Sequence, residues 1–104
     1  MTLAAWNMRS LTCAEPYIEK LTNSLESDVL FLSEHRLYPH ELNKLDKLNK
    51  NFEVHAKSSH DLYISTTQYK TGHCGVAIMW RKTLSNRVRV IQCESDRICV
   101  IEII

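Results

Sequence analysis

Two short apolar runs, each closed by a polar residue and separated by one helical segment, constrain this chain more than any other feature. Leu3-Ala4-Ala5-Trp6 leads into Asn7, and Val29-Leu30-Phe31-Leu32 leads into Ser33-Glu34-His35. Four consecutive apolar residues in the second run call for burial on both faces, as in a parallel sheet covered by helices. The first run reads as a buried strand in the same way. Between them, Thr12 and Glu15 have capping-box spacing, and Pro16 suits the first turn of a helix. Tyr17, Ile18, Leu21 and Leu25 follow at helical spacing, opposite Glu19, Lys20, Asn23 and Ser24. This predicts a helix from Cys13 to Glu26. Strand, helix and strand make a βαβ unit with a right-handed crossover.

The remainder is read by the same periodicities. Pro39 begins a second helical pattern with Leu42, Leu45 and Leu48 as its buried stripe, and Lys44, Lys47 and Lys50 as a solvated face. Phe52 to Ala56 alternates as a half-buried strand. Lys57 to Gly75 is polar and aperiodic, a length that is uncommon without a function or a hidden strand. Val76–Trp80, Val88–Gln92 and Ile98–Ile104 read as strands whose connections are too short for helical crossovers, so antiparallel pairing is expected. The final run, Val100 to Ile104, is apolar with no turn after it. A raw apolar strand of this kind invites edge pairing. The expected fold is therefore α/β with a mixed sheet: a βαβ start followed by an antiparallel meander. Residues 1–104 read as a partial domain, the N-terminal half of a larger fold whose C-terminal half is missing.

Composition excludes several alternatives. Hydrophobic residues are 44% and charged residues 24% of the 104, an ordinary globular balance. Thirteen Lys+Arg against twelve Asp+Glu give +1, which excludes a strongly basic arm and an acidic tail. A nuclease is still allowed, because a local patch suffices to meet DNA. No apolar run approaches the ~18–20 residues that span a bilayer, and Met1 to Asn7 lacks the features of a signal peptide. The four cysteines, 13, 74, 93 and 99, form no C-x-x-C pair. Zinc-finger spacing is absent, and reduced thiols in an intracellular compartment are expected, with the nucleus one possibility. Cys99 reads as a small core residue.

Candidate chemistry follows from position. In open α/β sheets, ligands bind beyond the carboxyl ends of the strands. Asn7 and Glu34 each close such a strand. If the strands are parallel neighbours, both polar groups meet one crevice. A carboxylate there is a natural ligand for Mg²⁺, which takes oxygen donors. An amide beside it can bond a phosphate oxygen. The alternative for Glu34 is an exposed residue that starts a turn.

Residues Leu3 to Leu11 resemble the opening strand of the endonuclease/exonuclease/phosphatase superfamily, which includes DNase I, exonuclease III and the apurinic endonucleases. Asp28 to His35 looks like its second motif, an apolar strand ending in Glu. Gly72-His73-Cys74-Gly75-Val76-Ala77-Ile78 looks like the glycine-marked strand that follows, and Ser95-Asp96-Arg97-Ile98 fits the next element. The motif style is nearest to endonuclease domains of non-LTR retrotransposons, which implies a downstream reverse transcriptase domain as a partner.

The resemblance implies a four-layer α/β sandwich and Mg²⁺- or Mn²⁺-dependent cleavage of phosphodiesters, with DNA as the favoured substrate and no membrane association. It makes Glu34 and Asn7 the catalytic and metal-binding pair. Arg9 stands where many relatives carry Asp or Asn. It reads as a surface residue or as a phosphate contact. Arg81 and Lys82, with Arg87 and Arg89, surround a hairpin and either meet a nucleic-acid backbone or form a wet turn. Cys74 replaces a common glycine. His35 reads either as a support for Glu34 or as the lead into the loop, neither it nor His73 reads as catalytic, and Asp96-Arg97 reads as a local ion pair that fixes a strand start. The family's Asp-x-Asn and Asp-His pairs occur nowhere in the sequence. Two readings follow. One is an endonuclease of which this is an inactive fragment. The other is a degenerate remnant that at most binds nucleic acid or a partner.

The raw apolar strand makes a first prediction. In sedimentation velocity, residues 1–104 should self-associate as concentration rises. A concentration-independent monomer with a sharp cooperative melt would contradict the half-fold reading.

Overall fold

The computed structural model describes residues 1–24, 26–58 and 74–104. Among the described residues, six strands and two α-helices are arranged in three layers. The strands are β1 (Leu3–Asn7), β2 (Val29–Ser33), β3 (Phe52–Lys57), β4 (Val76–Arg81), β5 (Val88–Ile91) and β6 (Val100–Ile103). The helices are α1 (Leu11–Ser24) and α2 (Asn43–Asp46), the latter preceded by a short 3-10 turn at Pro39–Glu41. A four-stranded sheet has the order β1-β2-β4-β3, and β5-β6 form a separate two-stranded sheet. β1 and β2 are parallel, and every other pairing is antiparallel. The expected mixed α/β sheet with a βαβ start is therefore present.

Residues alternate across the central sheet, so its two faces are different surfaces. On one face Leu30, Leu32, Ala77 and Met79 pack against Leu11, Ala14 and Ile18 of α1 and Leu45 of α2. On the other, Val29, Ile78 and Trp80 meet Val88, Val90, Ile101 and Ile103 of the small sheet. Each fully buried aliphatic side chain contributes about 1.5–3 kcal/mol. β4 thus has neighbours on both faces and both edges, which accounts for its run of buried residues, Ala77 to Trp80.

Several local expectations shift. α1 starts at Leu11, because the Ser10 hydroxyl accepts the Cys13 N–H at 3.2 Å and acts as the cap in place of Thr12. Pro16 consequently lies inside the helix rather than in its first turn. Among the described side chains the buried stripe is Leu11, Ala14, Ile18 and Thr22, and Tyr17 is 58% exposed, while the side chains of Leu21 and Leu25 lie outside the described ones. β1 is an edge strand that alternates rather than being buried throughout, with Leu3 57% exposed. The second helical pattern is brief: only Leu45 of α2 is fully buried, with Leu42 and Leu48 packed partly against it. β4 and β5 do not pair, because a 3-10 segment at Lys82–Arg87 carries the chain from one sheet to the other. No Asp96–Arg97 ion pair is found among the described residues. Most of the polar stretch, including His60, Asp61, Gly72 and His73, lies outside the described residues. All four cysteines are free thiols. Among the described residues no helix is long and apolar enough to cross a membrane.

A polar strip on the small-sheet side of β3 carries a pH dependence. Burial holds the His55 imidazole below the ordinary histidine value of 6.5, with the Lys57 charge adding to the effect. Its Nε2 is buried without a hydrogen-bond partner among the described residues. Below about pH 6.5 the unfolded chain therefore binds more protons here than the folded one, and stability falls as pH falls. The melting temperature should drop between about pH 7 and about pH 5, and His55→Gln should flatten that slope. An equal slope in the variant would assign the dependence to other groups.

Candidate active-site edge

Asn7 and Ser33 are register partners at the carboxyl ends of the parallel strands, and Glu34 follows directly. The backbone here is unusual. Arg9, Ser10, Glu34, Arg36 and Cys74 have φ of 57°, 124°, 57°, 58° and 56° without being glycine, and Gly75 has 101°. Such conformations persist only where the surroundings over-determine them, and they concentrate at functional sites.

The over-determination is visible. The loop leaving β2 is bonded on both sides: Met8 N–H donates to Ser33 O at 2.9 Å and Leu11 N–H to His35 O at 3.0 Å. From the other side Glu34 N–H donates to Gly75 O at 2.7 Å and Arg36 N–H to Cys74 O at 2.8 Å. Beneath it lies His35, 0% exposed. Its Nδ1 accepts the Leu37 N–H at 3.0 Å, and its Nε2 meets Lys57 O at 2.8 Å. A backbone N–H only donates and a carbonyl only accepts, so Nε2 carries the proton and the ring is neutral. His35 is thus a structural clasp from the β2 exit to the end of β3. This fits the supporting role read from sequence.

Gly75 completes the packing. A Cβ on it would fall 2.2 Å from His35 Cε1. Glycine is required here for its positive φ and for the close approach of the ring.

Two neighbouring hollows mark the edge. A groove of 460 Å³ runs between the sheets and includes Ala5, Asn7, Phe31, Ser33, Arg97 and Ile98 in its lining. A smaller one of 190 Å³ is lined by Ser33, Glu34, Cys74, Gly75, Val76 and Arg97. Arg97 therefore lines both, together with Asn7 in one and with Glu34 in the other. Sequence reasoning gave Arg97 only a local ion pair. No pattern in the neighbouring residues indicated its position, which depends on how the small sheet docks.

The other basic residues divide. Arg9 is exposed, and its backbone N–H donates to Asn7 Oδ1 at 3.2 Å. Arg81 stands at the opposite end of the sheet from Glu34, since its N–H bonds Asp28 O ahead of β2. Its side chain pairs with Asp28 at 3.7 Å, donates to Thr22 O at 3.2 Å and lies 4.9 Å over the Phe52 ring. That is a structural role. Lys82 follows it at the same far end. Arg89 is paired with Glu102 within the small sheet.

The donor atoms test whether a hard cation fits. Glu34 and Asn7 offer oxygens of the right type, but Asn7 Oδ1 is already engaged by Arg9 N–H. No group of three or more His, Cys, Asp or Glu converges among the described residues. One carboxylate and an occupied amide do not form a complete site for Mg²⁺, which releases its waters reluctantly.

This architecture is shared with a solved DNA-processing enzyme. The chain superposes on the 3′ phosphatase NExo from Neisseria, bound to a product DNA hairpin, with TM-score 0.61 and 19% identity. The match covers 97% of this chain and 40% of that one, so the chain spans well under half the length of its structural neighbour. At this identity the likeness is one of fold, and it agrees with the fold that the sequence resemblance implies. No family model matches the chain, and no curated protein matches it.

The Gly75–His35 contact generates a prediction. Gly75→Ala should destabilise the chain by at least about 2 kcal/mol, from overpacking together with an unfavourable φ. Urea denaturation followed by circular dichroism measures this. A loss below about 0.5 kcal/mol would show that the histidine is not held against the strand.

Proposed function

We propose that this chain is the N-terminal part of a phosphodiester-processing fold and that its Asn7–Glu34 edge faces a nucleic-acid backbone. One observation carries the reading: Glu34, partly exposed and in a left-handed backbone conformation clamped from both sides, directly follows Ser33, the register partner of Asn7, at the carboxyl edge of the parallel strands. The fold likeness to a 3′ phosphatase bound to a DNA hairpin supports DNA as the substrate class. On this reading Asn7 orients a phosphate oxygen. Glu34 supplies one hard-oxygen donor toward Mg²⁺ or Mn²⁺, with the remaining donors supplied from elsewhere. Arg9 and Arg97 bring positive charge to the same rim.

A second reading is favoured by the incomplete donor set. No Asp-x-Asn or Asp-His pair is present, and no three-ligand cluster forms among the described residues. A remnant that binds nucleic acid without cutting it fits those facts. Both readings predict that residues 1–104 alone do not hydrolyse DNA usefully. A positioned general base is worth ~10²–10⁴-fold, and none stands at this edge among the described residues.

Two measurements check the proposal. In a plasmid-nicking assay with Mg²⁺, the chain and Glu34→Gln should be indistinguishable. Nicking above the variant's level that disappears with EDTA would reveal a complete site. In EDTA, Glu34→Gln should bind a DNA hairpin roughly two- to threefold more tightly, since a negative charge near the phosphates is removed. Unchanged or weaker binding would mean that Glu34 does not face the backbone.

A further inference from the structure

The linker between β5 and β6 carries Arg97 and is held by a side chain that sequence reasoning left unassigned. Lys57, the last residue of β3, is half-buried and directs its ammonium at this linker. Nζ donates to Cys93 O at 2.6 Å and to Ser95 O at 2.9 Å. At the linker's far end Cys99 Sγ lies 3.6 Å from Val76 O, at the start of β4. The Ser95 hydroxyl accepts the Arg97 N–H at 3.2 Å and tightens the turn between these anchors. Lys57 also presents its own carbonyl to His35 Nε2 at 2.8 Å. One residue therefore joins the loop that shapes Glu34 to the linker that carries Arg97. A cavity of 400 Å³ lies alongside, lined by Lys57, Ser58, Cys93, Glu94, Ser95 and Asp96. Neither acid forms a salt bridge with Lys57 among the described residues. The ammonium is committed to the two carbonyls.

We propose that Lys57 is a positioning residue: it pins the 93–97 linker so that the Arg97 guanidinium stands over the Ser33–Glu34 edge and contacts a substrate phosphate there. The proposal rests on the reading that this edge faces a nucleic-acid backbone. The chemistry suits it. A guanidinium takes a phosphate through two parallel N–H bonds. Arg97 is exposed, lines both hollows and has no salt-bridge partner among the described residues. Held by Lys57, the linker keeps that charge in register with Glu34. Released, it lets the guanidinium sample solvent and ceases to count as a phosphate contact.

The salt dependence of binding separates contact from positioning. A fluorescent DNA hairpin is titrated with residues 1–104 in EDTA at several salt concentrations, and log K is plotted against log [salt]. Each lost phosphate contact reduces the slope by about 0.7–0.9. Arg97→Gln should lose one such unit, and Arg97→Lys should keep it. Lys57→Met should lose the same unit, and Lys57→Gln part of it, while the double variant Lys57→Met/Arg97→Gln should lose no more than Arg97→Gln alone. Arg89→Gln, away from the edge, should leave the slope unchanged. An unchanged slope in Arg97→Gln overturns the proposal whether or not Lys57→Met folds. Additive losses in the double variant would make Lys57 an independent contact and overturn its positioning role. If the wild-type chain binds, and binds more tightly as Glu34→Gln, the edge reading stands whichever way Arg97 falls. If the wild-type chain shows no salt-dependent binding, both are overturned.

Discussion

A buried neutral imidazole is the constraint on which the rest of the edge depends. His35 occupies both ring nitrogens with backbone groups, Leu37 on one side and Lys57 on the other. Polar groups withdrawn from water need such partners, or they cost about 1–3 kcal/mol each. The ring therefore fixes the β2 exit against β3. It also fills the space that a side chain at position 75 would occupy, which is why the chain has glycine there. With His35 seated, four backbone hydrogen bonds close around residues 33–36. Glu34 and Arg36 are then held in a conformation that non-glycine residues seldom adopt, one residue beyond the Asn7–Ser33 register pair in the case of Glu34.

The fold and the chemistry are separable in this molecule. The architecture shared with the solved 3′ phosphatase is present, with a parallel strand pair, polar residues at its carboxyl edge and a second sheet docked over one face. The donor set is another matter, because a carboxylate and an amide already used by Arg9 do not meet the needs of a hard cation. A fold hosts a function only through the side chains placed on it. Charge distribution makes the same point. The net charge is +1, yet the arginines do quite different work. Arg81 packs over Phe52 and pairs with Asp28, and Arg89 pairs with Glu102, whereas Arg97 lines two hollows.

How much was legible in the sequence depended on the range of the forces involved. The βαβ start was legible because apolar periodicity is local. Asn7 and Glu34 were singled out together because strand ends in a parallel sheet carry a general geometric meaning, and the register sets Asn7 opposite Ser33, one residue before Glu34. The start of α1 was misplaced by two residues because Ser10 and Thr12 are both competent caps. The choice falls on Ser10, whose following residue Leu11 bonds to His35 O and so joins helix and loop. Tyr17 lies at the rim of the stripe that packs on the sheet, so spacing alone does not decide its burial, and packing leaves it 58% exposed.

What the sequence determined by itself was the set of elements and their polar closures. All of these arise from neighbours a few residues apart. Tertiary structure alone decided which histidine is a clasp, which arginine faces the edge and which lysine holds it in place. His35 becomes structural through a carbonyl 22 residues away, and Lys57 reaches carbonyls 36 and 38 residues away. No spacing rule encodes such contacts. They exist only once the sheets have packed and each buried polar atom has taken the partner within its reach.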